Sequence, residues 1–186
     1  ATEIGQDQKG KGGTDMGKII SFCNQKGGVG KTTSAVNIAA SLGVLGYKVL
    51  LIDLDPQGNA TSGVGLMKKN LKNTIFEVLT TDMPTEEAII QTHFDNLSII
   101  PTHTTLARAE YELGDTENGE YIMKKKLAKA KETYDYIIVD CPPSLGMLTV
   151  NSMTASDGVV IPMQCEFFAL EGLSQLMFTI SRIKQH

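Results

Sequence analysis

Between Cys23 and Thr33 the sequence reads CNQKGGVGKTT. Glycines let backbone N–H groups converge on an anion without Cβ obstruction, and a helix starting directly afterwards adds a favourable field. Gly27, Gly28, Val29 and Gly30 would form that backbone cradle, and Lys31 would reach the β- and γ-phosphates of a nucleotide. The Thr32 hydroxyl would ligate Mg²⁺, and Thr33 is placed for the α-phosphate. Gln25 stands where a strict phosphate loop carries glycine, and a further lysine, Lys26, precedes the glycines. Its side chain need not face the phosphates held by its own loop. From the residues alone two readings stay open. Lys26 is a solvated surface lysine, or it is a cation delivered to a second subunit's nucleotide, where it would neutralise charge developing during phosphoryl transfer.

Carboxylates close two apolar runs. IDLDPQGNA carries Asp53 and Asp55, which point to the same side if extended geometry continues past the strand. Two acids beside a phosphate loop repel one another unless a cation joins them, and Mg²⁺ or Lys31 would serve. Pro56 and Gly58 turn the chain afterwards. Asp140 ends YIIVD, an apolar strand that would deliver a carboxylate to a metal's water shell, and Pro142 and Pro143 stiffen the turn that follows.

These groups need a scaffold. KIISFCN, KVLLIDLD, LSIIP, YDYIIVD and GVVIPM read as five buried strands. The stretch after the loop has helical periodicity, with Ala35, Ile38, Ala39 and Leu42 on one face and Gly46 as a stop. Further helices are predicted over 74–79, 85–92, 121–133, 147–155 and 170–183. Val/Ile-rich strands alternating with helices imply an α/β fold, a mostly parallel sheet flanked by helices on both faces. Residues 1–15 are polar and glycine-rich and read as a flexible tail ahead of a phosphate-loop ATPase domain over 16–186, with Met16 as an original start. Gly5, Gly10 and Lys11 imitate part of a phosphate loop there, but no strand precedes them and Gly12 replaces the Ser or Thr. The last helix runs to the final residue without a stop signal, so further strands and helices are expected beyond it.

The 186 residues carry a formal charge of -4, with 41% apolar and 20% charged residues, an ordinary globular composition. The chain is therefore no bulk polyanion binder, and nucleic-acid contact would need a local basic face. Lys124, Lys125, Lys126, Lys129 and Lys131 form one such run, either a solvated helix face or part of a phosphate-backbone surface. Cys23, Cys141 and Cys165 are odd in number and show no C-x-x-C spacing, which points to reduced structural thiols rather than a disulfide framework or a zinc site. His93, His103 and His186 are scattered. No apolar run approaches the ~20 residues of a membrane span.

KGGVGKTT resembles the deviant Walker A motif of the ParA/MinD family of ATPases. With VLLIDLDPQGNAT and YIIVDCPPS following in the family's order, the chain from Lys18 onward is most similar to ParA/Soj-type partitioning ATPases. The resemblance implies a P-loop NTPase fold, ATP and ADP as nucleotides with Mg²⁺, and a homodimer closed around ATP in which Lys26 crosses to the partner's nucleotide. It implies catalytic roles for Lys26, Lys31 and Asp55. Asp55 would position the attacking water in switch I, Asp53 would be a more structural acid near the metal, and Thr32, Asp55 and Asp140 would serve the metal, with Asp140 opening switch II. Asn151 and Glu166 match family positions near the nucleotide or the dimer face. It further implies a ParB-type centromere-binding partner, non-specific DNA binding by the ATP-bound full-length protein, no membrane partner, slow turnover until stimulated, and a cytoplasmic, nucleoid-associated location. A MinD-like membrane-recruiting regulator is the alternative. An electron-transfer ATPase like nitrogenase iron protein fits less well, because Cys141 directly follows Asp140, the wrong offset for a cluster ligand.

Overall fold

The structure, a computed structural model, describes residues 16–164 and 169–183. The tail over 1–15, Cys165 and Glu166 lie outside the described residues. Short runs of β-branched and other apolar residues form β1 (Lys18–Phe22), β2 (Val49–Asp53), β3 (Ile90–Gln91), β4 (Leu97–Ile100), β5 (Tyr136–Asp140) and β6 (Gly158–Val160). They make a six-stranded sheet in the order β3-β4-β2-β5-β1-β6, parallel throughout except where β3 pairs antiparallel with β4. The register sets Phe22 opposite Asp140 and Asp140 opposite Asp53, so the carboxyl ends of three neighbouring strands finish level.

Alternation along each strand sends neighbouring side chains to opposite faces. Val49 and Leu51 join Phe22, Leu97, Ile99 and Ile138 on one face, covered by α1 (Lys31–Val44) and α2 (Asn59–Gly63). Leu50 and Ile52 join Ile19, Ile137 and Val139 on the other. There they meet α3 (Ile75–Thr80), α4 (Ala109–Gly114), α5 (Ile122–Leu127), α6 (Ala130–Thr133), α7 (Met147–Ala155) and α8 (Ala169–Ile183). Each large side chain so buried stabilises the fold by about 1.5–3 kcal/mol before conformational entropy is counted.

Three local expectations need correction. The helix predicted over 85–92 is a single 3-10 turn over Thr85–Ala88 followed by β3. Ile90 and Gln91 pair with Ile99 and Ser98 across a connection in which Asn96 takes the left-handed region, φ 54°, so strand pairing overrides a weak helical pattern. The buried row of α1 is Lys31, Ala35, Ala39 and Gly43, while Ile38 is 42% exposed. Small side chains let α1 lie close, and a Cβ on Gly43 would stand 2.1 Å from the Asp95 carbonyl oxygen. The predicted helix over 121–133 is two helices, α5 and α6. At the junction and in the first turn of α6, the Ala128 and Glu132 N–H groups bond three residues back rather than four, a tightened 3-10 step.

Other signals hold. Gly46 ends α1, with the Tyr47 N–H donating to the Leu42 carbonyl at 3.1 Å and the Gly46 N–H to Gly43 at 2.9 Å. Thr74 caps α3 in a reciprocal box with Glu77. Cys23 and Cys141 are buried free thiols at the ends of β1 and β5, their sulfurs 3.2 Å apart. Among the described residues no helix is long and apolar enough to cross a membrane.

Candidate active site

The loop between β1 and α1 inherits its shape from glycine. Gly28 and Gly30 have φ of 74° and 89°, a region that a Cβ disfavours. Gly30 caps α1 without any side-chain hydrogen bond, and no acid lies in the first turn. The N–H groups at the head of this fourteen-residue helix therefore stay available to an anion. Lys31 is buried and folds its ammonium back over the loop, donating to the Lys26 carbonyl at 3.3 Å. A cavity of about 390 Å³ gathers Gly27, Gly28, Gly30, Lys31, Thr32, Thr33 and Asp55, together with Gln57, Asn59 and Pro143. Val29 turns its side chain inward and is buried, so it can offer only backbone. Lys26 and Asp140 do not line this cavity.

Asp53 and Asp55 do not share a side in the expected way, because β2 ends at Asp53 and the chain then turns. The Asp55 N–H donates back to Asp53 Oδ1 at 3.3 Å, and the Gln57 N–H donates to Asp55 Oδ1 at 2.9 Å. Asp53 is fully buried and accepts from both the N–H and the hydroxyl of Thr61, at 2.6 and 2.7 Å. Burial pushes its carboxyl up to about 6 even though the Thr61 bonds pull the other way. Its role is to tie the start of α2 to the sheet. Asp55, by contrast, faces the cavity.

Asp140 has both carboxylate oxygens buried, with no hydrogen-bond partner among the described residues. Burial pushes its carboxyl up to about 7. The Thr32 hydroxyl, near but not aligned into a bond, lowers it, the charges of Asp53 and Asp55 raise it further, and Lys31 opposes them. A buried orphan acid beside a phosphate-type loop fits a cation that shares its water shell with the acid. Among the described residues no three His, Cys, Asp or Glu side chains converge on a metal position. The Thr32 hydroxyl and the single orphaned acid suit Mg²⁺, which keeps several waters and binds through a hydroxyl or one carboxylate plus phosphate oxygens.

Asn151 is fully buried, and its amide is committed elsewhere. It accepts from the Met123 N–H at 3.0 Å and donates to the Gly119 and Met147 carbonyls, stitching α7 to α5. The structure thus places it in a helix junction and away from the loop cavity. Within the lysine run, Lys126 donates to the Thr81 and Met83 carbonyls, Lys129 pairs with Glu86 and Lys131 with Asp157. Lys124 and Lys125 are exposed.

Two groups escape the sequence reading. Thr61 bridges Asp53 and the Thr102 N–H, and nothing in its local sequence marks it. Asn24 accepts from the Lys26 N–H, two residues on, and donates to the Pro162 carbonyl. Asparagine after a strand commonly folds back in this way, so half of its role was legible; the Pro162 contact, far along the chain, was not.

A family model described as an AAA domain matches residues 17–186. The sporulation initiation inhibitor protein Soj of Bacillus subtilis (strain 168) is 53% identical over 171 residues, covering 92% of this chain and 68% of Soj. The chromosome partitioning protein ParA of Myxococcus xanthus (strain DK1622) is 49% identical over 175 residues, 94% of this chain and 62% of that protein. The chain thus spans about two thirds of the length of these relatives. Among solved structures, cobyrinic acid a,c-diamide synthase from Mycobacterium smegmatis with bound ATP analog and magnesium superposes with a TM-score of 0.86 at 41% identity. The match covers 91% of this chain and 69% of that one.

Proposed function

Because the chain belongs to the Soj/ParA family of partitioning ATPases, we propose that it is an Mg-ATP-dependent switch for DNA segregation that works as a homodimer. The observation that carries the reading is the cavity that joins the glycine loop, Lys31, Thr32 and Asp55, with the Thr32 hydroxyl near the orphaned Asp140. The loop N–H groups and the head of α1 hold the phosphate chain of ATP, and the Lys31 ammonium lies along its β- and γ-phosphates. The Thr32 hydroxyl and, through water, Asp140 would hold Mg²⁺, which when bound would supply neutralisation of phosphate charge. Asp55, with one oxygen already held by the Gln57 N–H, orients the attacking water with its carboxylate.

Lys26 completes the partner's site. Its carbonyl is engaged by Lys31 of its own loop, and its side chain starts outside the cavity. Two subunits closing loop to loop would bring each Lys26 ammonium to the other's γ-phosphate, where charge develops in the transition state. Turnover is then slow until a ParB-type partner stimulates it. DNA is bound without sequence preference in the ATP state of the full-length protein, placing the switch on the nucleoid in the cytoplasm. The test compares Lys26→Ala with the unaltered chain for ATP turnover and for size in saturating Mg-ATP. Turnover should fall at least a hundredfold, on the order of the loss of a transition-state cation, with ADP affinity kept. Undiminished turnover removes the role in trans.

A further inference from the structure

We propose that Asn24 is a positioning residue for Lys26, and that it works by strapping the mouth of the phosphate loop to the segment that follows β6. This rests on the reading of Lys26 as a cation supplied to the partner. The Asn24 carboxamide divides its two ends between two parts of the chain. Oδ1 accepts from the Lys26 N–H at 3.0 Å, and Nδ2 donates to the Pro162 carbonyl at 2.8 Å. The end of β6 and the segment after it meet the loop at two more points. The Cys23 N–H donates to the Val160 carbonyl at 3.0 Å, and Gln164 Nε2 reaches the Gly28 carbonyl at 3.5 Å.

The part of the loop that faces its own nucleotide is oriented by α1, since Lys31, Thr32 and Thr33 are already helical. Lys26 lies before the glycines and has no helix to aim it. A lysine side chain has a long flexible stem, so the region its ammonium can sweep is set by where the backbone points at its root. Asn24 fixes that backbone from one side and Pro162 fixes Asn24 from the other. The residue type follows from the partners: an N–H needs an acceptor, and a carbonyl needs a donor. Asparagine offers both on a side chain short enough to fold back two residues. Aspartate would keep the first contact and lose the second.

Asn24→Ala and Asn24→Asp are compared with Lys26→Ala for ATP turnover, half-saturating ATP, ADP affinity and thermal midpoint. Both Asn24 variants should turn over roughly tenfold more slowly, as misplacing a catalytic group by a fraction of an ångström does. ADP affinity should stay within about twofold, because Lys31 is aimed by α1 and loses at most its contact with the Lys26 carbonyl, while the cradle glycines are unaltered. Normal turnover in both, with Lys26→Ala inactive, overturns the role of Asn24 and leaves the trans-lysine reading standing. Normal turnover in Lys26→Ala removes that reading and the Asn24 role with it. A parallel loss of ADP affinity and turnover in both Asn24 variants also overturns the proposal, since the loop would simply be disordered. Hydrogen exchange reads the same claim without turnover. The Lys26 amide should exchange faster in Asn24→Ala and stay protected in Asn24→Asp, and equal rates in Asn24→Ala and the unaltered chain overturn it.

Discussion

Asp140 shows how one buried residue can weaken the fold that carries it. Both of its oxygens are buried and unpartnered among the described residues, and burial lifts its carboxyl to about 7. An unfolded aspartate titrates near 3.9. Between these values the folded chain holds a proton that the unfolded chain has lost, so without Mg²⁺ stability falls as pH rises through that window. Asp140→Asn removes the buried charge. At pH 8 and without Mg²⁺ it should raise the unfolding free energy by about 1–3 kcal/mol, the scale of an unsatisfied buried polar group. Urea unfolding at pH 3.5, 5 and 8 checks this: the variant should gain most at pH 8, less at pH 5 and least at pH 3.5, below the unfolded pKa. That the acid closes a buried strand was legible, since YIIVD ends on it. The difference between Asp53 and Asp55 was not. It depends on a turn that breaks the extended period between them, and on the Thr61 bonds that consume the first acid while leaving the second in the cavity.

Elements were legible where one signal sufficed. α7 falls on the predicted 147–155, and α3 begins at the capping box of Thr74 and Glu77. They were not legible where a distant partner decides. β3 exists because Ile90 and Gln91 find β4, and the buried row of α1 is chosen by how closely Ala35, Ala39 and Gly43 let it approach its neighbours. Helix α2, whose Asn59 lines the loop cavity, is a further instance. Only five residues long, it has little stability of its own and is held by Asp53, Thr61 and the Thr102 N–H. Thr61→Val keeps the shape but leaves the Thr102 N–H unpaired and Asp53 with fewer donors. It should cost about 1–3 kcal/mol of stability, read by chemical denaturation, with faster amide exchange confined to the α2 region. Uniform exchange across the molecule would show that α2 has no separate anchor.

At the scale of the whole molecule, β1 is the penultimate strand of the sheet, between β5 and β6, and Asp157 fastens its outer side. The Asp157 carboxylate accepts from the Ile19 N–H at 2.8 Å and from Lys131 at 3.0 Å, while its own N–H donates to the Ile19 carbonyl. Burial alone would raise this carboxyl, but the Ile19 N–H and then Lys131 outweigh it and hold it below the usual range. A depressed acid stabilises the fold above its unfolded pKa, and that contribution is lost as pH falls through the folded one. Asp157→Asn should therefore cost about 1 kcal/mol at pH 7 after solvent screening, and the gap between variant and parent should close in acid. Thermal midpoints across that range measure it. The parallel layered plan was readable because Val and Ile runs must be covered on both faces. The strap from β6 to the loop mouth was not, since Asn24 and Pro162 meet only once the sheet is assembled.

The thiols of Cys23 and Cys141 sit together in the interior, one at the threshold of the glycine loop and the other beside Asp140. Both are buried, so alkylating reagents reach these sulfurs when this part of the molecule opens. The molecule thus carries a native reporter of its own opening. Whatever occupies the site and steadies the folded form must delay the modification of those two cysteines, and the delay grows with ligand concentration as mass action requires. Peptide mass spectrometry can therefore weigh nucleotide affinity without a dye, a tag or a turnover assay.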